Sequence, residues 1–270
     1  MRRWTEDSVV STLRAAGCAF AEDEARLLLE AGTSPAMLTG MIERRVAGFP
    51  LEHILGWVDF HGLRFAVGDG VFVPRRRSEL MVREVCAAAA SGSIVVDLCC
   101  GCGALGAAVA ASVAGVEVHA ADIDPVAADY ARRNLSGYSA QVHVGDLFDA
   151  LPGRLRGRVD ILLCNAPYVP GEEWRTLPPE ARLHEPRRAL DGGDDGLVVQ
   201  RRVVSQVTDW LSPGGCVVFE VSARQAPEAL GLMQGAGLRA RVATAAELSA
   251  TVVVGTGPDD HRGGGAGPHP

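Results

Sequence analysis

Four short clusters carry the residue types best suited to chemistry, and each closes an apolar run. Asn165, Ala166, Pro167 and Tyr168 follow VDILLC. The Asn165 amide oxygen accepts one hydrogen bond, and the carbonyl of Ala166 accepts another. Pro167 limits Ala166 to extended backbone, which sets the direction of that carbonyl. Tyr168 adds a flat aromatic face. Two acceptors beside an aromatic face suit a planar NH₂ group, either an amide or an exocyclic base amine. A strand-ending turn without chemistry is the plainer reading of the same four residues.

The second cluster is VVDLCCGCGALG, residues 95–106. Gly101 and Gly103 permit a tight turn and a close ligand approach. Read literally, Gly101, Gly103 and Gly106 match the dinucleotide pattern G-x-G-x-x-G. The same stretch also sets a carboxylate, Asp97, before the loop Cys99, Cys100, Gly101, Cys102 and Gly103. That arrangement suits a ligand bearing an ammonium and a sulfonium, such as S-adenosyl-L-methionine. The third cluster is Asp122 in HAADIDP, placed to accept hydrogen bonds from two ribose hydroxyls; it serves NAD and S-adenosylmethionine equally. Asp124 is a helix cap before Pro125. In the fourth, GDLF, Asp146 accepts from an adenine amino group with Leu147 beside the ring, or simply caps a turn. No Ser/His/Asp or Cys/His arrangement stands out.

These clusters need a scaffold that brings strand ends together. From residue 93 the pattern alternates. SIVVDLCC, VEVHAADI, AQVHVGDL, VDILLCN, GCVVFEVS and ATVVVGT read as strands, with helical runs such as PVAADYARRNL and GLVVQRRVVSQVTDWL between them. Alternation with continuously apolar strands predicts an α/β, doubly wound, mostly parallel sheet. Ligands of such sheets sit at the carboxyl ends of the strands. Residues 1–50 read as a small helical domain, 51–74 as a linking β-hairpin, 75–255 as the sheet domain and 256–270 as a disordered tail.

Composition narrows the function classes. The chain has 270 residues and a formal net charge of −7, which argues against a general nucleic-acid or membrane-surface binder. RRR at 75–77 is its one strong basic cluster. The seven cysteines are odd in number and not spaced as a disulfide framework, so free thiols in a cytoplasmic, reducing compartment are expected. Cys99 and Cys102 form a literal C-x-x-C, but a zinc site wants a second pair and none exists. No metal is expected, and no apolar run is long enough to span a bilayer.

Taken in order, the segments GFPLEHILGWVDFHGLRFAVGDGVFVPRRRSEL, DLCCGCGALG, AADIDP, GDLF, NAPY, HEPRRALDGGDDGL and PGGCVVFEVSARQ resemble the HemK/PrmC family of protein-(glutamine-N5) methyltransferases. The resemblance covers roughly residues 20–255. It implies a seven-stranded class I methyltransferase sheet, S-adenosyl-L-methionine as donor, and the glutamine of the Gly-Gly-Gln motif of a peptide chain release factor as acceptor. Carried over by position, Asp97 and Cys99 to Gly103 hold the donor, Asp122 its ribose, and Asp146 and Leu147 its adenine side. Asn165 to Tyr168 hold the glutamine. The family's Pro-Arg-x-x-Thr-Glu stretch appears as Pro74, Arg75, Ser78 and Glu79, with a supporting part. Three features depart from the family: Cys99 replaces a usual loop glycine, Ala166 replaces the first proline, and the amino-terminal helical part is short. The last leaves open another protein glutamine or a small-molecule amine as acceptor. A DNA or RNA base amine shares the Asn-Pro-Pro-Tyr logic, but the acidic balance disfavours it.

Overall fold

The structure is a computed structural model that describes residues 4–259. Three helices open the chain: α1 (Glu6–Ala15), α2 (Ala21–Ala31) and α3 (Pro35–Val46). Local chemistry sets their starts. Thr5 and Ser8 form a reciprocal capping box on α1. Ser34 caps α3, with Pro35 in its first turn. Val9, Leu13, Ala25, Leu28, Met41 and Ile42 meet in a core of their own.

The linking segment differs from a plain hairpin. LEHIL forms a short helix, α4 (Leu51–Leu55), closed by Gly56 at φ +81°. The hairpin itself is β1 (Trp57–Phe60) paired with β2 (Leu63–Ala66). A single 3-10 turn at Arg76–Ser78 then leads into α5 (Glu79–Ala88).

Alternation begins at β3 (Ile94–Leu98) and runs through α6 (Ala104–Ser112), β4 (Glu117–Asp122), α7 (Pro125–Leu135), β5 (Ala140–Val144) and β6 (Val159–Cys164). It continues with α8 (Pro179–His184), α9 (Val198–Val207), β7 (Leu211–Glu220), α10 (Ala226–Gly235), β8 (Arg239–Ala245) and β9 (Ala250–Thr256). The seven strands of the large sheet lie in the order β5-β4-β3-β6-β7-β9-β8. All neighbours are parallel except that β9 runs antiparallel to both β7 and β8.

Strand alternation distributes the core to both faces. On β3, Val95 packs with α5 and α6 residues such as Val85 and Val109. Ile94, Val96 and Leu98 face the other side, with Val203, Val207 and Trp210. Asp97 shares the face of Val95, and this directs its carboxylate at the start of α6. β3 is therefore buried along its whole length.

The sequence pattern missed α4, α5, α8 and β8. The strand β8 reads RARVATA, and its burial is that of an edge, with Arg239, Arg241, Val242 and Thr244 exposed. An edge strand needs no apolar run, so composition hides it. The carboxyl end also departs from expectation. Thr256 belongs to β9, Gly257 N–H donates to the Gly215 carbonyl at 2.8 Å, and the Pro258 carbonyl accepts from Gly214 at 2.9 Å. The expected disordered tail otherwise falls on residues 260–270, outside the described residues. Among the described residues no helix is long and apolar enough to cross a membrane.

Candidate active site

The carboxyl ends of β3, β4 and β6 open into one cavity of about 260 Å³. Of the residues singled out from sequence, Asp97, Cys99, Cys100, Gly101, Cys102, Asp122, Asp146, Leu147, Asn165 and Pro167 line it. Gly103, Ala166 and Tyr168 do not. Gly103 is the amino-terminal cap of α6 at φ +75°, where an added Cβ would press on Ala131 at 3.0 Å. Ala166 is buried behind the wall.

Asp97 is the most buried carboxylate of the cavity. One oxygen accepts from Gly106 N–H at 2.9 Å, and no cation pairs with it among the described residues. Burial pushes its carboxyl up to about 7. Asp122 is turned onto the loop: it accepts from Gly101 N–H at 2.8 Å and from Asp124 N–H at 2.8 Å. Burial also raises its carboxyl, while these two donors pull it back. A carboxylate has about four lone-pair sites, so two remain for a ligand. Gly101 sits at φ +56° and an added Cβ there would meet nothing, so the backbone is open on that side.

Cys99 adopts φ +56°, the left-handed region that favours glycine. The Cys164 thiol lies 3.9 Å from its sulfur. All seven cysteines are free thiols. Burial drives the thiols of Cys100 and Cys102 upward, that of Cys102 to about 12. Among the described residues no group of His, Cys, Asp and Glu is arranged to hold a metal ion.

On the adenine side an ion pair joins the expected residues. Arg202 Nη2 holds Asp146 Oδ2 at 2.7 Å, which leaves Oδ1 as its open acceptor. Leu147, at φ +49° and buried, lines the cavity beside it. Ile123, Val199 and Arg202 complete that wall. Val199 and Arg202 belong to no motif, and a helix face brings them there; Ile123 lies within AADIDP but was not singled out.

The acceptor side is defined by which carbonyls are taken. Gln225 Nε2 donates to the Tyr168 carbonyl at 2.9 Å, and Gly192 N–H donates to the Val169 carbonyl at 2.9 Å. Gln200 Nε2 approaches the Pro167 carbonyl at 3.5 Å. The Ala166 carbonyl accepts no hydrogen bond from the described residues. Asn165 Nδ2 donates to Ser78 Oγ at 3.1 Å. The Tyr168 ring lies beneath the Arg77 guanidinium at 5.5 Å rather than facing the cavity. Its hydroxyl donates to Glu220 Oε1, and burial pushes the phenol far above its usual range, with the Glu220 carboxylate adding to it.

The segment HEPRRALDGG covers one flank. Pro186, Arg188 and Ala189 line the cavity, and Arg188 reaches Asp124 at 3.3 Å across its rim. Glu185, its side chain fully buried, pairs with Arg75. Burial raises Glu185 to about 7, with Arg75 opposing.

Residues 63–215 match the family described as the Methyltransferase small domain. A release factor glutamine methyltransferase of Geobacter sulfurreducens is 35% identical over 204 residues, spanning 75% of this chain and 71% of that protein. The chain belongs to the release factor glutamine methyltransferase family. The family member of Streptomyces coelicolor is 40% identical over 184 residues, a match spanning 67% of this chain and 65% of the relative's length. The 4-amino-L-phenylalanine/4-methylamino-L-phenylalanine methyltransferase of Streptomyces pristinaespiralis is 34% identical over 214 residues, spanning 77% of this chain and 73% of that protein. The fold is shared more widely. A methyltransferase from Pyrococcus furiosus superposes with a TM-score of 0.56 at 16% identity, covering 73% of this chain and 90% of that one.

Proposed function

We propose that this family member transfers a methyl group from S-adenosyl-L-methionine to the side-chain amide nitrogen of a protein glutamine, that of the Gly-Gly-Gln motif of a peptide chain release factor. One observation carries the reading. Asn165 ends β6 at the wall of a cavity that also holds the buried Asp97 without a counter-cation, and the carbonyl of the next residue, Ala166, accepts no hydrogen bond from the described residues.

The donor's chemistry fits the residues present. A buried carboxylate without a counter-cation calls for a cationic ligand group, and Asp97 meets that description for an ammonium. The loop from Cys99 to Gly103 would hold the same end, Asp122 the ribose hydroxyls, and Leu147 the base, with one Asp146 oxygen still open. When bound, S-adenosylmethionine supplies an electrophilic methyl on a sulfonium.

The chain's own residues perform the rest. An amide nitrogen is a poor nucleophile because its lone pair is delocalised. The Asn165 amide oxygen and the Ala166 carbonyl accept both of its N–H bonds and orient the nitrogen; such positioning is worth up to roughly 7–11 kcal/mol in favourable cases. As positive charge develops on nitrogen, the same two acceptors stabilise it. No base is required before transfer, since the methylated nitrogen becomes acidic and loses its proton late. Pro167 keeps Ala166 extended, so the carbonyl does not swing away.

The relative that acts on 4-amino-L-phenylalanine supports a second reading, an aromatic amine as acceptor, because its NH₂ is also planar. Methyl-labelled S-adenosylmethionine separates the two. Purified release factor, the same factor with the motif glutamine changed to alanine, and 4-amino-phenylalanine are offered in parallel. Label on the first alone supports the glutamine reading; label on the third alone replaces it. Asn165→Ala should lower turnover on the order of a hundredfold while leaving donor affinity nearly unchanged. Unchanged turnover removes Asn165 from the reaction.

A further inference from the structure

Ser78 is fully buried at the start of α5. Its Oγ lies 3.1 Å from Asn165 Nδ2. We infer that Ser78 is a positioning residue: its hydroxyl oxygen takes the Asn165 NH₂ and so commits the Asn165 carbonyl oxygen to the acceptor. The inference rests on the function proposed above and deepens it.

The physical need comes from the asymmetry of an amide. One end of the Asn165 side chain accepts and the other donates. An acceptor substrate that presents an NH₂ group needs the oxygen. An untethered asparagine turns either end to the cleft, and the donor end opposes the substrate. In the observed arrangement Ser78 Oγ takes the nitrogen, which leaves the Asn165 oxygen for the acceptor. If the amide were reversed, the hydroxyl would donate to Asn165 oxygen and the NH₂ would face an NH₂, which recognises no amide nitrogen.

The serine is itself held. Its N–H donates to the Arg75 carbonyl at 2.9 Å within the 76–78 turn. The preceding residue, Arg77, donates from Nε to Glu220 Oε1 at 3.1 Å, and Glu220 is buried at the end of β7. Arg75 is paired with Glu185 on the flanking segment. The turn is thus pinned from both sides, which fixes the place of the Ser78 oxygen beside Asn165 Nδ2. A buried, prearranged hydrogen bond of this kind costs no reorganisation when substrate arrives.

The test is a double-mutant cycle on the full chain, with kcat and the acceptor and donor KM read separately. Ser78→Ala is expected to lower kcat on the order of tenfold to a hundredfold with donor affinity and thermal midpoint nearly unchanged. In the Asn165→Ala background the same substitution should add nothing, because its effect passes through Asn165. Ser78→Thr, which keeps the hydroxyl, should restore most of the loss. Ser78→Cys keeps the volume with only a weak acceptor and serves if the alanine variant does not fold. Wild-type kcat in both Ser78→Ala and Ser78→Cys overturns the inference, as does a loss that persists undiminished without Asn165. If Asn165→Ala alone leaves turnover intact, the functional reading itself fails, a result distinct from failure at Ser78.

Discussion

The Tyr168 hydroxyl donates to Glu220 Oε1 at 2.8 Å, tying the end of the β6 motif to the end of β7. Arg77 reaches the same oxygen from the linking segment. The tyrosine is thus a tether behind the site, not a wall of it. Tyr168→Phe should cost about 1–2 kcal/mol in stability by removing one buried hydrogen bond to a charged acceptor. Donor affinity should stay unchanged, since the ring does not line the cavity. Urea denaturation and calorimetric titration read the two effects; a large affinity loss with no stability change would reverse the assignment.

Asp97 makes stability depend on pH. Its carboxyl titrates at about 7 when folded, against about 3.9 in an unfolded chain. The native state holds a proton that the unfolded chain releases, so its contribution is full below about 4 and lost as pH rises to about 7. Asp97→Asn should flatten the stability profile across that window and make the ligand-free protein more stable at pH 8, by on the order of 2–4 kcal/mol. Asp122 and Glu185 also titrate upward-shifted, so the difference between variant and wild type is the quantity to measure. Parallel profiles for the two proteins would show that Asp97 is not the group responsible.

Cys99 carries a side chain where φ is +56°. A left-handed residue with a Cβ costs roughly 1–2 kcal/mol, while glycine adds freedom to the unfolded chain. The two nearly offset, so Cys99→Gly should change stability by no more than about 1 kcal/mol in either direction. Cys99→Val, branched at Cβ, should be clearly worse. Thermal midpoints of the pair decide it, and equal midpoints would mean that the loop is not strained there.

Arg45 joins the amino-terminal helices to the segment beyond the site. It grips Glu24 with Nε at 2.6 Å and Nη2 at 3.0 Å, and reaches Glu180 of α8 at 3.1 Å. With Arg45 and Glu24 about one-tenth exposed, breaking the pair strands a buried carboxylate. Arg45→Ala should therefore destabilise by about 3–5 kcal/mol. It should also loosen α8, measurable as faster amide exchange at 179–184. A cost near zero would mark the triad as a solvated surface pair.

Periodicity and punctuation reached a long way into this molecule. Buried parallel strands announce themselves as apolar runs, and glycine and proline mark their ends, so β3 to β7, β9 and the helix start at Asp124 were legible. So were Asp97, Asp122 and Asn165, because carboxylates and an amide at strand ends have few structural reasons to be there. Tertiary structure alone decided the rest. β8 is an edge and needs no apolar code. Asp146 looks unpaired until α9 sets Arg202 against one of its oxygens. Ser78, Glu220 and Arg77 lie far from Asn165 and Tyr168 in sequence, and only the sheet order β3-β6-β7 and the turn before α5 bring them within hydrogen-bond reach. The local code sets which residues end a strand. Which neighbours a side chain meets there depends on non-local packing, which no short stretch of chain encodes.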